Sequence, residues 1–202
     1  MFETNIRYVG GLLSIYALTG DQLYREKALE VAQKLVPAFQ TPTGIPYPLV
    51  NMKTGLTQSY SWASGGDSIL SEFGTLHMEF AYLSDITGEP LFKDLVERIR
   101  TVVQESTKPS KLYPNYLNPK TGKWGLQHTS IGALGDSFYE YLLKEWLRSG
   151  KTDMVSKQMF DQAALDVETE LLQTSASGLV YFAEKKHEKL EHKMDHLACF
   201  AG

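Results

Sequence analysis

The sequence has one cysteine, Cys199, among 202 residues, and no apolar run approaches the roughly 18 residues that a membrane-crossing helix needs. A single thiol excludes an internal disulfide framework, and composition alone reads it as an isolated buried side chain. Positive charge is also in short supply. Twenty Lys and Arg stand against 24 Asp and Glu, a formal charge of -4, and they are scattered among the acids, which leaves no basic stripe for nucleic acid. There is no Gly-rich phosphate loop and no Gly-x-Ser-x-Gly elbow, since Ala63-Ser64-Gly65-Gly66 lacks the strand and helix context. Met1 opens no signal-peptide pattern, so the chain reads either as cytosolic or as a piece whose targeting segment lies elsewhere.

What is present is ordinary globular material, 43% hydrophobic and 11% aromatic, enough for one core. Apolar residues recur at helical spacing in six segments: about 2–18, 21–39, 67–86, 89–104, 136–148 and 154–173. Asp21 is placed to cap the second, and Glu89-Pro90 to open the fourth. Thr19-Gly20-Asp21, Thr87-Gly88-Glu89 and Ser149-Gly150-Lys151 each join a more apolar helix to a more charged one, with glycines 68 and 62 residues apart. A helix pair repeating at such a period predicts an all-α toroid or solenoid, apolar helices inside and amphipathic ones outside. Three pairs describe an arc. The long stretches 41–66 and 108–135 between pairs read as a binding face, with a hairpin at 112–124 and a short strand at 179–182. Both ends read as cut, because helical period begins at Phe2 with no cap and an apolar stretch is under way at Cys199-Phe200-Ala201-Gly202.

Acidic residues on the apolar helices are the anomaly. Glu3 lies one turn before Arg7; Glu72 and Glu79 are seven apart, and Asp136 and Glu140 four apart, each pair reading as one helix face. A buried charge costs several kcal/mol, on the order of the desolvation penalty, unless it is paired or used. Singly, Glu3 and Asp136 read as helix N-terminal acids favoured by the dipole, with Arg7 a salt-bridge partner. Together, inner-helix starts at one end of a ring would crowd carboxylates round a cavity, suited to acid/base hydrolysis of glycosides or to a hard cation. Spacing does not choose between those uses. Tyr47, Tyr60, Trp62, Tyr113, Tyr116 and Trp124 fall in the loops, either to stack on sugars or to pack the loops themselves. His192 and His196 are four apart but lack the third ligand that would make them a zinc site.

These segments resemble glycoside hydrolase family 47, the class I α-mannosidases. The resemblance rests on Phe2-Glu3-Thr4-Asn5-Ile6-Arg7 with Gly10-Gly11-Leu12-Leu13, Trp62-Ala63-Ser64-Gly65-Gly66, Glu72-Phe73-Gly74-Thr75-Leu76, Tyr113-Pro114-Asn115-Tyr116, Gly135-Asp136-Ser137-Phe138-Tyr139-Glu140-Tyr141, and Leu190-Glu191-His192-Lys193-Met194, in family order along the chain. It implies part of an (α/α)7 barrel, with 1–202 a portion of a single catalytic domain truncated at both ends. It implies a calcium-dependent inverting hydrolysis of terminal α-1,2-linked mannose from high-mannose N-glycans on glycoproteins. By motif, Glu3 corresponds to the general acid and Asp136 to a base or transition-state stabiliser, while Arg7, Glu72, Glu79, Leu134, Glu140 and His196 correspond to substrate-pocket positions. The resemblance also implies a disulfide from Cys199 to a cysteine outside the chain, a calcium-binding threonine downstream, and no metal ligand within 1–202. Leu134, where endoplasmic-reticulum members carry arginine, implies a Golgi-type enzyme, membrane-anchored on the lumenal side, with the endoplasmic-reticulum lumen as the alternative. Ala133 replaces a glycine common in Golgi members. With later glutamate motifs absent, the isolated piece is expected to be inactive. A degradation-associated mannosidase-like protein that recognises glycans of misfolded glycoproteins is the alternative function, and a helical-repeat scaffold a third.

Overall fold

A computed structural model describes residues 1–201 of the chain; Gly202, the last residue of the C-terminal segment quoted above, lies outside the described residues. The first rod is α1 (Phe2–Thr4), a π-helical turn Asn5–Val9, and α2 (Gly10–Thr19). Gly20, at φ 72°, stops it, because the left-handed conformation lets the last carbonyls find partners without a Cβ clash. The Asp21 carboxylate then accepts the Leu23 N–H at 2.9 Å and starts α3 (Gln22–Leu35), which tightens into a 3-10 turn at Val36–Phe39. A small ladder of β1 (Leu49–Val50) and β2 (Thr57–Gln58) follows.

The third segment departs from expectation. It is not one helix over 67–86 but β3 (Ser68–Ile69), the short α4 (Leu70–Phe73), a break, and α5 (His77–Thr87). Two distant segments cause this. Ser68 and Ile69 pair antiparallel with Leu117 and Tyr116 of β4 (Tyr116–Leu117). At the break Gly74 lies under Phe138, and a Cβ there would come within 2.6 Å of the Phe138 ring. Glu72 and Glu79 therefore stand on different helices, and the same-face reading of their spacing is corrected.

Gly88, at φ 77°, turns the chain into α6 (Leu91–Glu105). The expected 112–124 hairpin survives as a Leu117–Trp124 bridge closed by Asn118 N–H on the Lys123 carbonyl at 2.9 Å, its other edge taken by β3. β5 (His128–Thr129) precedes α7 (Asp136–Arg148), and Gly150 and Lys151, both left-handed, lead into α8 (Met154–Leu171). That helix ends two residues short of Gln173, because β6 (Leu172–Thr174) pairs with β7 (Val180–Phe182). β8 (Glu184–Lys186) then lies between β5 and β9 (Lys189–Glu191), and a 3-10 segment, His196–Ala201, follows.

The three glycine junctions do what the repeat predicted: α2 packs on α3, α5 on α6, α7 on α8, while α5 also meets α2 and α7. One hydrophobic cluster runs through all three pairs, with Phe80, Phe92 and Phe138 fully buried and Phe80 edge-on to Phe92 at 5.6 Å. No described helix is long and apolar enough to cross a membrane. The Cys199 thiol is exposed, which corrects the buried reading drawn from composition.

Candidate active site

Glu3 and Arg7 form an exposed ion pair one turn apart, either side of the point where the rod widens into the π turn. Each inner carboxylate beyond them has its own protein donors. Tyr60 Oη–H donates to Glu72 Oε1 at 2.8 Å, and Glu72 Oε2 is buried without a partner among the described residues. Glu79 is held from two sides: Asn5 Nδ2–H donates to Oε2 at 3.0 Å and Tyr141 Oη–H to Oε1 at 2.8 Å. Asn5 is fully buried at the start of the π turn, and its amide also reaches the Thr75 carbonyl at 3.3 Å. Asp136 opens α7, and its Oδ1 accepts the Ser137 N–H at 2.6 Å. The Thr75 hydroxyl donates to Ser137 Oγ at 2.7 Å, which stitches the break after α4 to the start of α7, so the neighbours of Glu72 and Asp136 are tied to each other.

Burial is the largest influence on each of the three inner acids. Burial pushes the Glu72 carboxyl above its ordinary range; the Tyr60 hydrogen bond and the Met1 ammonium oppose the shift, and the Glu3 charge adds to it. Burial raises Glu79 as well, against the donors Tyr141 and Asn5 and the Lys144 charge. Asp136 is raised first by burial, with Ser137 opposing and the Asp195 and Glu140 charges adding. The Tyr60 and Tyr141 hydroxyls are pushed up by burial and by the carboxylates they serve, so both stay protonated donors. Carboxyls raised by burial beside specific donors mark a candidate functional site.

Glu140 does share a helix face with Asp136, and it pairs with Lys144 one turn on. Leu134 sits at φ 76°, unusual for a leucine, and its carbonyl accepts the Ser71 N–H at 2.9 Å, so its backbone ties the loop before α7 to α4. His196 is exposed at the head of the last 3-10 segment, with no hydrogen bond to the inner carboxylates. Its neighbour Asp195 comes in instead: the carboxylate lies over Gly132, where a Cβ would meet Oδ1 at 2.6 Å.

Asn5, Tyr141 and Asp195 were not singled out in the sequence, and Tyr60 was read as a loop aromatic and not as the donor to Glu72. Tyr141 was within reach, since it follows Glu140 on an inner helix; the others act across long sequence separations that no local pattern encodes. The loop aromatics divide. Tyr113 and Tyr116 are buried, and Tyr113 packs on Trp124 at 5.8 Å, so these three serve the loops. Trp62 is 58% exposed and stacks on Tyr60 at 4.9 Å, leaving a free indole face beside Glu72's donor.

The description Glycosyl hydrolase family 47 matches residues 1–202. Mannosyl-oligosaccharide alpha-1,2-mannosidase IA of Drosophila melanogaster is 65% identical over 202 residues, which is all of this chain and 30% of that protein. Human mannosyl-oligosaccharide 1,2-alpha-mannosidase IB is 54% identical over 202 residues, again the whole chain and 32% of the relative. Among solved structures, the alpha-1,2-mannosidase from Trichoderma reesei superposes with a TM-score of 0.86 at 27% identity, over 98% of this chain and 44% of that one. The helix pairs thus have the arrangement of part of that (α/α)7 barrel. The chain spans about a third of the length of the curated relatives it matches.

Proposed function

The chain belongs to glycosyl hydrolase family 47, and from that premise we propose that the protein carrying it hydrolyses terminal α-1,2-linked mannose from high-mannose N-glycans. The reading is carried by one observation: Glu72, Glu79 and Asp136, on successive inner helices, are half-buried carboxyls raised in pKa and held by fixed donors. The names of the similar proteins support the bond and the sugar. In this reading Glu3, exposed beside Arg7, protonates the leaving oxygen; Asp136 acts as base or stabilises the oxocarbenium-like transition state. Arg7, Glu72, Glu79, Leu134, Glu140 and His196 line the sugar sites. Exposure of Glu3 and His196 leaves them reachable by a glycan.

Calcium belongs to the proposal and not to the residues described. The inner helices offer carboxylate oxygens, the donor class calcium takes, but among the described residues no three of their acids bring ligand atoms to one point. No step is therefore assigned to the ion, whose threonine ligand is proposed to lie downstream. Golgi residence, a lumenal orientation, a membrane anchor and a Cys199 disulfide are further parts of the proposal. Leu134 supports the Golgi assignment, and the exposed thiol supports a partner outside the chain.

The test is release of mannose from an α-1,2-mannose-terminated oligosaccharide by the intact protein. Glu3→Gln and Asp136→Asn should each lower kcat by about 100-fold or more, the usual contribution of a positioned acid or base, with glycan binding retained. Unchanged turnover in both variants would remove the mechanism; glycan binding with no turnover in the parent would support the degradation-associated reading. The isolated 1–202 piece should release none.

A further inference from the structure

We propose that a second site, in the cavity walled by α6, the end of α7 and the start of α8, binds a first-row divalent transition ion through His77, Glu145 and Asp153. The cavity encloses about 390 Å³ and is lined by none of the carboxylates assigned to glycan hydrolysis, so the inference stands independently of that reading. One ligand atom from each of the three residues lies within 4.8 Å of the other two. Ion binding would draw these atoms in to the roughly 3.4 Å expected between ligands of a tetrahedral ion bound at about 2.1 Å.

Burial and pairing point the same way. His77 is 6% exposed and Glu145 3%, an unusual depth for a cluster with no apparent structural need of an imidazole. The His77 ring takes part in none of the side-chain hydrogen bonds found among the described residues, and it lines the cavity, where a ligand or water can reach it. The two acids are oriented from behind. Arg148 donates to both Glu145 oxygens at 2.7 Å, and Ser156 donates to Asp153 through its N–H at 3.0 Å and its hydroxyl at 2.6 Å. Such partners fix a ligating carboxylate while leaving each oxygen a second lone pair.

The charged lining is balanced: Glu97, Glu145 and Asp153 line the cavity with Lys93, Arg100 and Arg148, and Asp85, outside the lining, pairs with Arg148. Lys93 is committed to Glu97, and Arg148 to Glu145 and Asp85. Arg100 is the exception: it is buried, its Nε lacks a partner, and it sits 6.0 Å over the Phe138 ring. Its charge weakens the site for a cation and is the one strong donor an oxyanion would find. An imidazole with two carboxylates suits Zn2+, Mn2+ or Co2+ better than calcium. Bound there, the ion would clamp α5 of the second helix pair to α7 and α8 of the third.

The experiment strips the purified protein with chelator, restores saturating Ca2+ to occupy any calcium site, and titrates Zn2+ and Mn2+ by calorimetry and thermal unfolding. One equivalent should bind with a rise in Tm, and Co2+ should give ligand-field bands in the visible on the unaltered protein. His77→Gln should abolish both responses. Asp153→Asn, which keeps the helix cap because asparagine caps as well as aspartate, should weaken binding at least tenfold. Arg100→Met should tighten it by removing the opposing charge. The proposal is overturned if no equivalent binds, if His77→Gln or Asp153→Asn binds as the parent does, or if only inorganic phosphate raises Tm and Arg100→Met abolishes that rise.

Discussion

Glu79 shows how one side chain can be costly to the fold and still be kept. Its folded-state pKa lies above the ordinary 4.5 because burial outweighs the Tyr141 and Asn5 hydrogen bonds. A carboxyl raised in this way contributes its full stability below the unfolded value, and that contribution is lost as pH rises through the folded value. Glu79→Gln should therefore match the parent near pH 4 and become the more stable protein toward pH 8. The gap should be about 1.4 kcal/mol for each unit of elevation. Thermal unfolding of both proteins across that range checks the sign; a gap that shrinks with rising pH would refute it. Tyr60→Phe removes the donor to Glu72, whose other oxygen is already unpartnered. The acid limb of the pH–activity profile should then move to higher pH in the intact protein. At this scale the acids were legible in the sequence, since charged residues on apolar helices are conspicuous. Their donors were not, because Asn5 meets Glu79, and Tyr60 meets Glu72, only after folding.

Among the elements, the glycine junctions were the most legible, each being a local backbone requirement satisfied by the residue that stands there. Gly20, Gly88 and Gly150 all adopt positive φ between paired helices. The break between α4 and α5 was illegible for the opposite reason: 67–86 has helical period throughout, and what interrupts it is Phe138, more than sixty residues on. Gly74→Ala should accordingly cost about 1–3 kcal/mol, the range for forcing a methyl into a packed core. Denaturant unfolding would measure this, and Phe138→Leu in the same chain should recover part of the loss. A neutral Gly74→Ala would mean that α7 does not press on the break. The π turn at Asn5–Val9 was equally unreadable, since its wide hydrogen-bonding carries no composition of its own.

Across the whole molecule the pairs are joined by polar clamps as well as by the shared core. Arg148, at the end of α7, holds Glu145 on its own helix and Asp85 on α5, with bonds of 2.6 to 2.7 Å. Glu145's side chain is only 4% exposed, so Arg148→Met would strand a buried carboxylate. A loss of about 3–5 kcal/mol is expected in chemical denaturation, far above the value of a surface pair. Arg148→Met with Glu145→Leu should restore most of it. The repeat announced the arc of pairs; the clamp was hidden because its three members come from two pairs.

Asp195, resting on Gly132 above the start of α7, also bears on the order in which the chain emerges during synthesis. The α7–α8 pair can form as soon as it leaves the ribosome, yet β8, which closes on β5, and the carboxylate that roofs the loop are made after it. A nascent chain halted before residue 184 should already protect α5 and α6 from hydrogen exchange while the 128–135 loop stays open. The loop ahead of α7 would set only after the helix pairs it joins.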